Sequence, residues 1–303
     1  MKLQLKKRLT AIISPHLPAV LNPAGHLPPF LKKILLFILR MTYRKTFDEL
    51  YVVKIMFGPL KGKKMILNLK PENGAVNTEY LAGYRQEKEE IDLIKKLILK
   101  GQIIWDIGIY RGFYSVLFSE LTGPTGKIMA FDIEKKNCRV VNEIIRLNGI
   151  LNIKTYNYGL SNENIQANFI SSPSSNSRLI MTFRGYYTDS PVLTKGESIK
   201  KVQLRTLNSL VEEMGYTDLI KIDIDGAELF ALDTADKIFE KKDLIFIIES
   251  HNPKTDQKIT EYFNRNGCFV YSINEKRFFH TTELYWGTMI GCKNYEKLKQ
   301  LLD

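Results

Sequence analysis

The stretch from Trp105 to Ser115, WDIGIYRGFYS, follows the apolar residues Ile103 and Ile104 and ends among aromatics. An apolar run that stops at an acid, turns at glycines and resumes as a second apolar segment reads as strand, tight turn and helix. The strand is expected over Gln102–Gly108 and the helix over Phe113–Leu121. Gly108 lets the chain turn sharply and lets a ligand approach the backbone, and Gly112 permits close packing where the helix starts. The glycines at 108 and 112 are spaced G-x-x-x-G. That is neither the G-x-G-x-x-G of nicotinamide and flavin sites nor the G-x-x-x-x-G-K-[ST] of phosphate loops. A polyphosphate cofactor is therefore not expected.

Working outward, strands and helices alternate. Strands are expected at Lys127–Asp132, Asn152–Asn157, Leu219–Ile224 and Leu244–Glu249. Helices are expected at about Arg85–Leu99 and at Lys135–Leu147, Thr206–Met214, Ala227–Phe239 and Asp256–Asn266. Two strands, Cys268–Ile273 and Leu284–Cys292, close the chain with no helix between them and so should pair antiparallel. The alternation implies a doubly wound, mostly parallel α/β sheet with helices on both faces. The near-continuous apolar runs LIFIIE and QIIWDIG suit strands buried on both sides. A hairpin is expected over 50–69. Residues 171–200, opening SSPSSNS, break the rhythm and read as a polar insertion over a site. The expected division is a basic helical segment at 1–49, a hairpin extension at 50–74, and a main domain at 75–303.

Charge is localised. Residues 1–64 hold 13 Lys/Arg and 2 Asp/Glu, while residues 65–303 hold 31 of each sign. The balanced body argues against a long basic groove for nucleic acid. The basic segment suggests contact with something anionic. Its apolar run, Ile34–Leu39, is far short of the roughly 20 residues that span a bilayer. Two readings stay open: a basic helix lying in a membrane interface, with residues 1–64 on an anionic surface, or a helix packed on the main domain. A cytoplasmic protein, at most peripheral at a membrane, is expected. Three scattered cysteines, Cys138, Cys268 and Cys292, suggest neither a disulfide framework nor a zinc site. The four histidines lack metal-ligand spacing, so no metal is expected.

In such sheets ligands bind at the carboxyl ends of the strands, near the point where strand order reverses. Asp132, ending KIMAFD, is placed to accept hydrogen bonds from ribose hydroxyls. Asp106 puts a second carboxylate near the same pocket. A cofactor with a ribose and positive charge suits both, and S-adenosylmethionine carries an amino group and a sulfonium. The alternative for either acid is a helix cap. In LIKIDIDGAE, residues Lys221, Asp223 and Asp225 share one strand face. Three charges there are costly to bury unpaired. Asp225 can cap the next helix, while Asp223 and Glu228 are better placed to line the pocket. Glu249 ends the following strand, with His251 two residues on.

These residues resemble the FkbM-type S-adenosylmethionine-dependent methyltransferases over roughly 75–275. The resemblance rests on YLAGYRQEKEEIDLIKKLILKGQIIWDIGIYRGFYS, IMAFDIEKKN, GLSN and above all KIDIDGAE. It implies a class I methyltransferase (Rossmann-like) fold, a seven-stranded sheet with an antiparallel last strand, and methylation of a hydroxyl oxygen on sugars or natural-product alcohols. By position, it implies that Asp106, Gly108, Tyr110, Gly112, Asp132, Ile133, Leu160, Ser161 and Asp223 bind the cofactor. The chain departs from the family where Gly108-Ile109-Tyr110 replaces Gly-Ala-Asn, and where Asp132 replaces a glutamate. The first change removes an amide, and the second shortens the reach by one methylene.

Methyl transfer to an alcohol needs alignment of donor and acceptor and a base in hydrogen-bond reach. Asp223, Glu249 and His251 are the candidates for that base. Arg111 is a candidate for an acidic substrate or a solvated side chain. A small-molecule or glycan acceptor is expected. The rival readings are an RNA methyltransferase, which the charge balance of 65–303 does not favour, and a non-catalytic module that kept the fold.

Overall fold

The computed structural model describes residues 43–46, 50–68, 88–172, 177–179, 193–224, 226–250, 253–279 and 287–302, with three helical positions, Phe30, Ile34 and Phe37, before them. Most of the basic segment, residues 173–176 and 180–192 of the polar insertion, Asp225 and His251 lie outside the described residues. The chain divides into two units: Met1–Ile91 with Val140–Ile150, and Asp92–Arg139 with Leu151–Asp303.

In the first unit β1 (Arg44–Lys45), β2 (Leu50–Lys54) and β3 (Lys64–Asn68) pair antiparallel in that order. The expected hairpin supplies β2 and β3, and β1 adds an edge. Asn148 clamps β3: Lys64 N–H donates to Asn148 Oδ1 at 2.8 Å, and Asn148 Nδ2 donates to the Lys64 carbonyl at 2.8 Å. This backbone pairing by a side-chain amide leaves neither group unsatisfied.

The remaining elements run, in chain order, α1 (Lys88–Leu97), β4 (Ile103–Ile107), α2 (Phe113–Thr122), β5 (Lys127–Phe131), α3 (Lys135–Asn148), β6 (Ile153–Tyr156), β7 (Tyr158–Leu160), β8 (Gln166–Ser171), β9 (Arg178–Leu179) and β10 (Ser198–Arg205). They continue with α4 (Leu207–Met214), β11 (Leu219–Ile222), α5 (Glu228–Leu232), a 3₁₀ turn (Ile238–Glu240), β12 (Ile245–Ser250), α6 (Pro253–Arg265), β13 (Phe269–Ser272), β14 (Arg277–Phe279), β15 (Gly287–Cys292) and α7 (Tyr295–Leu302).

The second unit is built on an eight-stranded sheet ordered β14-β13-β15-β12-β11-β4-β5-β6. Strands β12, β11, β4, β5 and β6 are parallel, and β15 lies antiparallel between β12 and β13. From β4 the chain winds outward through β5 and β6, then returns to place β11 on the other side of β4. The order reverses there, so the tips of β4 and β11 border the crevice where such sheets bind ligands. Strand β11 is buried at every position, as a strand covered on both faces must be. The core on one face of the sheet includes Trp105, Phe131, Phe246 and Phe263, with Trp105 edge-on to Phe131 at 6.1 Å.

Four expectations are corrected. The sheet has eight strands, not seven, because β14 folds back on β13 as a hairpin edge. The strands β7, β8, β9 and β10 build a second sheet, ordered β7-β10-β8-β9, so the end of the expected insertion is strand: Ser198 pairs with Ser171 and Gln203 with Gln166. The helix expected over Ala227–Phe239 stops at Leu232, and residues 238–240 form a separate 3₁₀ turn. A final helix, α7, follows β15 and buries Leu298.

Candidate functional site

The turn after β4 is fixed from both sides. Gly108 and Ile109 N–H groups both donate to the Phe131 carbonyl of β5, at 2.9 and 3.3 Å, and Asp223 N–H donates to the Ile107 carbonyl at 3.0 Å. Gly108 sits at φ +89, where a Cβ would lie 1.7 Å from the Asp223 carbonyl oxygen. The space a side chain would need at Gly108 is filled by the chain's own backbone, so the turn requires glycine there. Gly112 at φ +77 heads α2. Tyr110, at φ +44, is one of two described non-glycine residues with positive φ. Asparagine tolerates that region far better than tyrosine. The asparagine that the resemblance implies here would suit this backbone, and Tyr110 stands in its place at a conformational cost.

Asp132 is tied into the protein. Its Oδ1 accepts from Glu134 N–H at 2.7 Å, and its Oδ2 accepts from Tyr110 N–H at 3.0 Å and Asn137 Nδ2 at 3.1 Å. Burial pushes its carboxyl up to about 6 despite these donors. Asp106 lies in a different group. Its Oδ2 accepts from Ser115 Oγ at 2.5 Å, while its buried Oδ1 has no hydrogen-bond donor among the described residues. Burial pushes it up to about 6 as well, against the pull of the Lys221 ammonium and the Ser115 bond. The two acids flank one glycine turn but belong to different groups among the described residues: Asp132 is joined to Tyr110, Asn137 and Glu134, and Asp106 to Ser115, with the Lys221 ammonium acting on it.

Lys221 is the residue that sequence reasoning undervalued. It is 1% exposed, stands directly across from Asp106 in the β11–β4 register, and donates to Asp223 Oδ2 at 3.0 Å. Its ammonium lies 4.5 Å from the centre of the Tyr114 ring. Burial alone would lower its proton affinity, but the carboxylates of Asp223, Glu249 and Asp106 raise it above the ordinary lysine range. The available signal was the cost of three charges on one strand face. Asp223 keeps 28% of its side chain exposed, and Glu249, on β12, is half-buried. Among the described residues, the strand tips thus bring the carboxylates of Asp106, Asp223 and Glu249 around Lys221. Glu228 turns inward instead, accepting from Ile224 and Gly226 N–H groups at 3.3 and 3.1 Å.

Three expected cofactor residues are built into packing. Leu160 joins the core beside Trp105 and Phe131. Ser161 is buried, its N–H donating to the Arg205 carbonyl at 3.0 Å and its Oγ meeting Asn162 at 3.2 Å. Ile133 packs on the Phe169–Val202–Leu204 cluster and so closely on Gly159 that a Cβ there would lie 2.6 Å from its Cγ2. These three side chains hold the second sheet against the end of β5.

The residues fit a cationic nucleoside cofactor. The donorless Asp106 oxygen and the excess of acid at the tips call for positive charge, and Asp132 Oδ1, with one donor, keeps acceptor capacity for a ribose hydroxyl. The methyltransferase FkbM domain model matches residues 106–271, more than half of the chain. The chain belongs to the FkbM methyltransferase family. This FkbM protein is an S-adenosylmethionine-dependent methyltransferase with the class I α/β arrangement, as expected.

No curated protein matches the FkbM chain at the level required for significance. Solved structures resemble it distantly. A precorrin-6y C5,15-methyltransferase of Geobacter metallireducens is 15% identical over 69% of this chain and 89% of its own, with TM-score 0.41. A ribosomal protein L11 methylase of Lactobacillus delbrueckii subsp. bulgaricus is 14% identical over 70% and 80%, with TM-score 0.42. A SAM-dependent methyltransferase of Aquifex aeolicus is 12% identical over 67% and 88%, with TM-score 0.36. At such scores the fold assignment rests on strand order and the family match.

The raised acids give the FkbM site a pH signature. A carboxylate must be ionised to accept ribose hydroxyls or to pair with an ammonium. Both values stand near 6, so affinity for S-adenosylhomocysteine is expected to rise with pH through that value. It should fall about fivefold from pH 6 to 5 for each acid that must be ionised. Their effect on folding has the opposite sign. A raised folded value contributes stability that is present below the unfolded value near 3.8 and is lost as pH rises through 6. Calorimetric titration checks this: an affinity that stays flat from pH 8 to 5 removes both acids from cofactor binding.

Proposed function

We propose that this FkbM methyltransferase methylates a hydroxyl oxygen on a sugar, glycan or similar polyol. The observation that carries the reading is the position of Asp223. Its partly exposed carboxylate is oriented by Lys221, and its own backbone forms the wall of the Gly108 turn. A carboxylate at that spot is suited to take the proton of an attacking alcohol, with Glu249 on the neighbouring strand as the second candidate. S-adenosylmethionine, when bound, supplies an electrophilic methyl group on a sulfonium. With it bound, the acceptor oxygen would form a C–O bond as the S–C bond broke and its pair left with sulfur, while Asp223, held by Lys221, would take the proton. Lys221 holds that carboxylate in place through the 3.0 Å bond to its Oδ2, and the apolar strands beneath exclude water.

Nucleic acid is disfavoured as acceptor because residues 65–303 carry equal numbers of each charge. The segment 1–64 supports an acceptor held at an anionic membrane. Helical positions Phe30, Ile34 and Phe37 share one face by spacing and are 62%, 49% and 62% exposed, beside the run of lysines and arginines. Among the described residues, no helix is long and apolar enough to cross a membrane.

The test is a methyl-transfer screen with labelled cofactor over glycans, polyols and RNA, each offered free and on anionic vesicles. Label on glycan, lost in Asp223→Asn, is the expected outcome. Label on RNA alone overturns the acceptor class. Transfer that is indifferent to vesicles overturns the membrane part.

A further inference from the structure

The β2–β3 hairpin carries a surface that its packing does not require. Its body is core: Leu50, Val53, Met65, Ile66 and Leu67 are all buried. The ladder runs on past the strands, with Ile55 N–H donating to the Lys63 carbonyl and Gly62 N–H to the Ile55 carbonyl, each at 2.8 Å. Two turns close the end: Lys61 N–H donates to the Gly58 carbonyl at 3.1 Å, and Lys63 N–H to the Leu60 carbonyl at 3.0 Å. Leu60 is buried and anchors the loop. The backbone of the tip is thus fixed, and it shows solvent a defined set of groups. The exposed residues of the hairpin, Leu50 to Asn68, are Lys54, Phe57, Gly58, Lys61, Gly62 and Lys64. Between residues 50 and 68 there are four lysines and no Asp or Glu. Phe57 is 39% exposed, beside half-buried Met56 and Pro59. The two glycines carry no side chain to hold a flat surface away from the turn. A single exposed apolar side chain is ordinary. One set among cations, with no acid in the same hairpin, has the composition of an interfacial anchor: the ring enters the boundary of headgroups and acyl chains, and the ammonium groups stay among the phosphates.

We infer that the tip of the β2–β3 hairpin docks this protein on an anionic lipid surface, with Phe57 inserted and Lys54, Lys61 and Lys64 on the headgroups. The inference rests on the membrane part of the proposed function and deepens it, because it assigns the contact to a fixed turn apart from the helical positions Phe30, Ile34 and Phe37. Charge complementarity selects the lipid: the hairpin is wholly cationic, whereas residues 65–303 as a whole carry no net charge. Nucleic acid, the other polyanion, fits less well. Stacking of successive bases needs a row of aromatic faces along a groove, and here one ring stands beside the aliphatic Met56 and Pro59.

Sedimentation of the full chain with phosphatidylcholine vesicles, with and without phosphatidylserine, reads the docking, and a labelled RNA oligonucleotide is titrated in parallel. The parent is expected to bind the phosphatidylserine vesicles and to be released by salt, because attraction to a charged surface decays within a Debye length. Lys61→Gln should weaken vesicle binding about fivefold, and Lys54→Gln, Lys61→Gln and Lys64→Gln together about a hundredfold. Phe57→Ser should weaken it about tenfold, the size of a partly buried ring. These side chains are exposed, so urea midpoints of the variants should match the parent's. In Phe57→Trp, brominated acyl chains should quench a fluorescence component that the parent lacks, a signal that a merely structural role would not give. Vesicle binding equal in the parent and all variants overturns the hairpin assignment and leaves the membrane reading to the rest of residues 1–64. No vesicle binding by the parent overturns both. RNA binding that is lost in these variants, with no vesicle binding, replaces the lipid by nucleic acid. S-adenosylhomocysteine is titrated on the same samples: its failure to bind, with vesicle binding intact, counts against the methyltransferase reading and leaves the docking surface standing.

Discussion

Replacing Lys221 with methionine is expected to remove about 3–5 kcal/mol of folding stability, enough to unfold much of the protein at physiological temperature. The volume change is small, so packing is not the cause. The ammonium neutralises the carboxylates at the tips of β4 and β11: it bonds Asp223 at 3.0 Å and faces Asp106 across the strand pair. Without it, Asp106 stays buried with one bond, from Ser115, and its free oxygen loses the only charge that opposed burial. Asp106 must then bind a proton to remain inside, so its folded value climbs further above 3.8. By linkage, stability from such a group is held below the unfolded value and lost as pH rises through the folded one. The deficit of the Lys221→Met variant should therefore shrink on going from pH 8 to 5, and shrink again with Asp106→Asn added. Urea denaturation at the two pH values measures it. A deficit under about 1 kcal/mol that ignores pH would mean the charges are solvated and not coupled.

That lysine also marks the boundary of what the sequence makes legible. The alternation of apolar runs and amphipathic segments carries the parallel sheet, because strands buried on both faces leave a strong apolar signal, as in IFIIES and LIKI. The second sheet left almost none. In SIKKVQLR only Val202 and Leu204 are buried, so a solvated ribbon reads as loop. The stop after Leu232 was readable only in hindsight, from the Asp233-Thr234 pair, whose short polar side chains compete with helix hydrogen bonds. At the site, the acids at strand ends were legible one by one. What periodicity could not tell was which neighbours they face. Lys221 belongs with Asp106 through register between strands more than a hundred residues apart, and that register is set by tertiary packing. Asp132 likewise reads as a ribose ligand, but it also acts as the knot joining the turn at Tyr110 to the start of α3.

Gly108→Ala should be the most damaging single substitution in the cofactor turn. Two penalties add there. The φ of +89 lies where side chains are strained, at about 1–2 kcal/mol. The new methyl would also fall 1.7 Å from the Asp223 carbonyl oxygen, which is backbone and cannot rotate away. Moving it means breaking the Asp223 N–H bond to Ile107 and pushing the base away from the turn, and overpacking of this kind costs about 1–3 kcal/mol more. Gly267→Ala separates the two terms. That glycine has φ +73 with nothing within 4 Å of the added carbon, so it should suffer the backbone term alone. The difference in denaturation midpoint between the two variants measures the steric term. Should Gly108→Ala remain folded, S-adenosylhomocysteine binding and methyl transfer should both fall about a hundredfold or more, because a misplacement of about 1 Å can cost that much in a positioned reaction. Equal stability of the two variants with full activity would place Asp223 outside the site, and the proposed base with it.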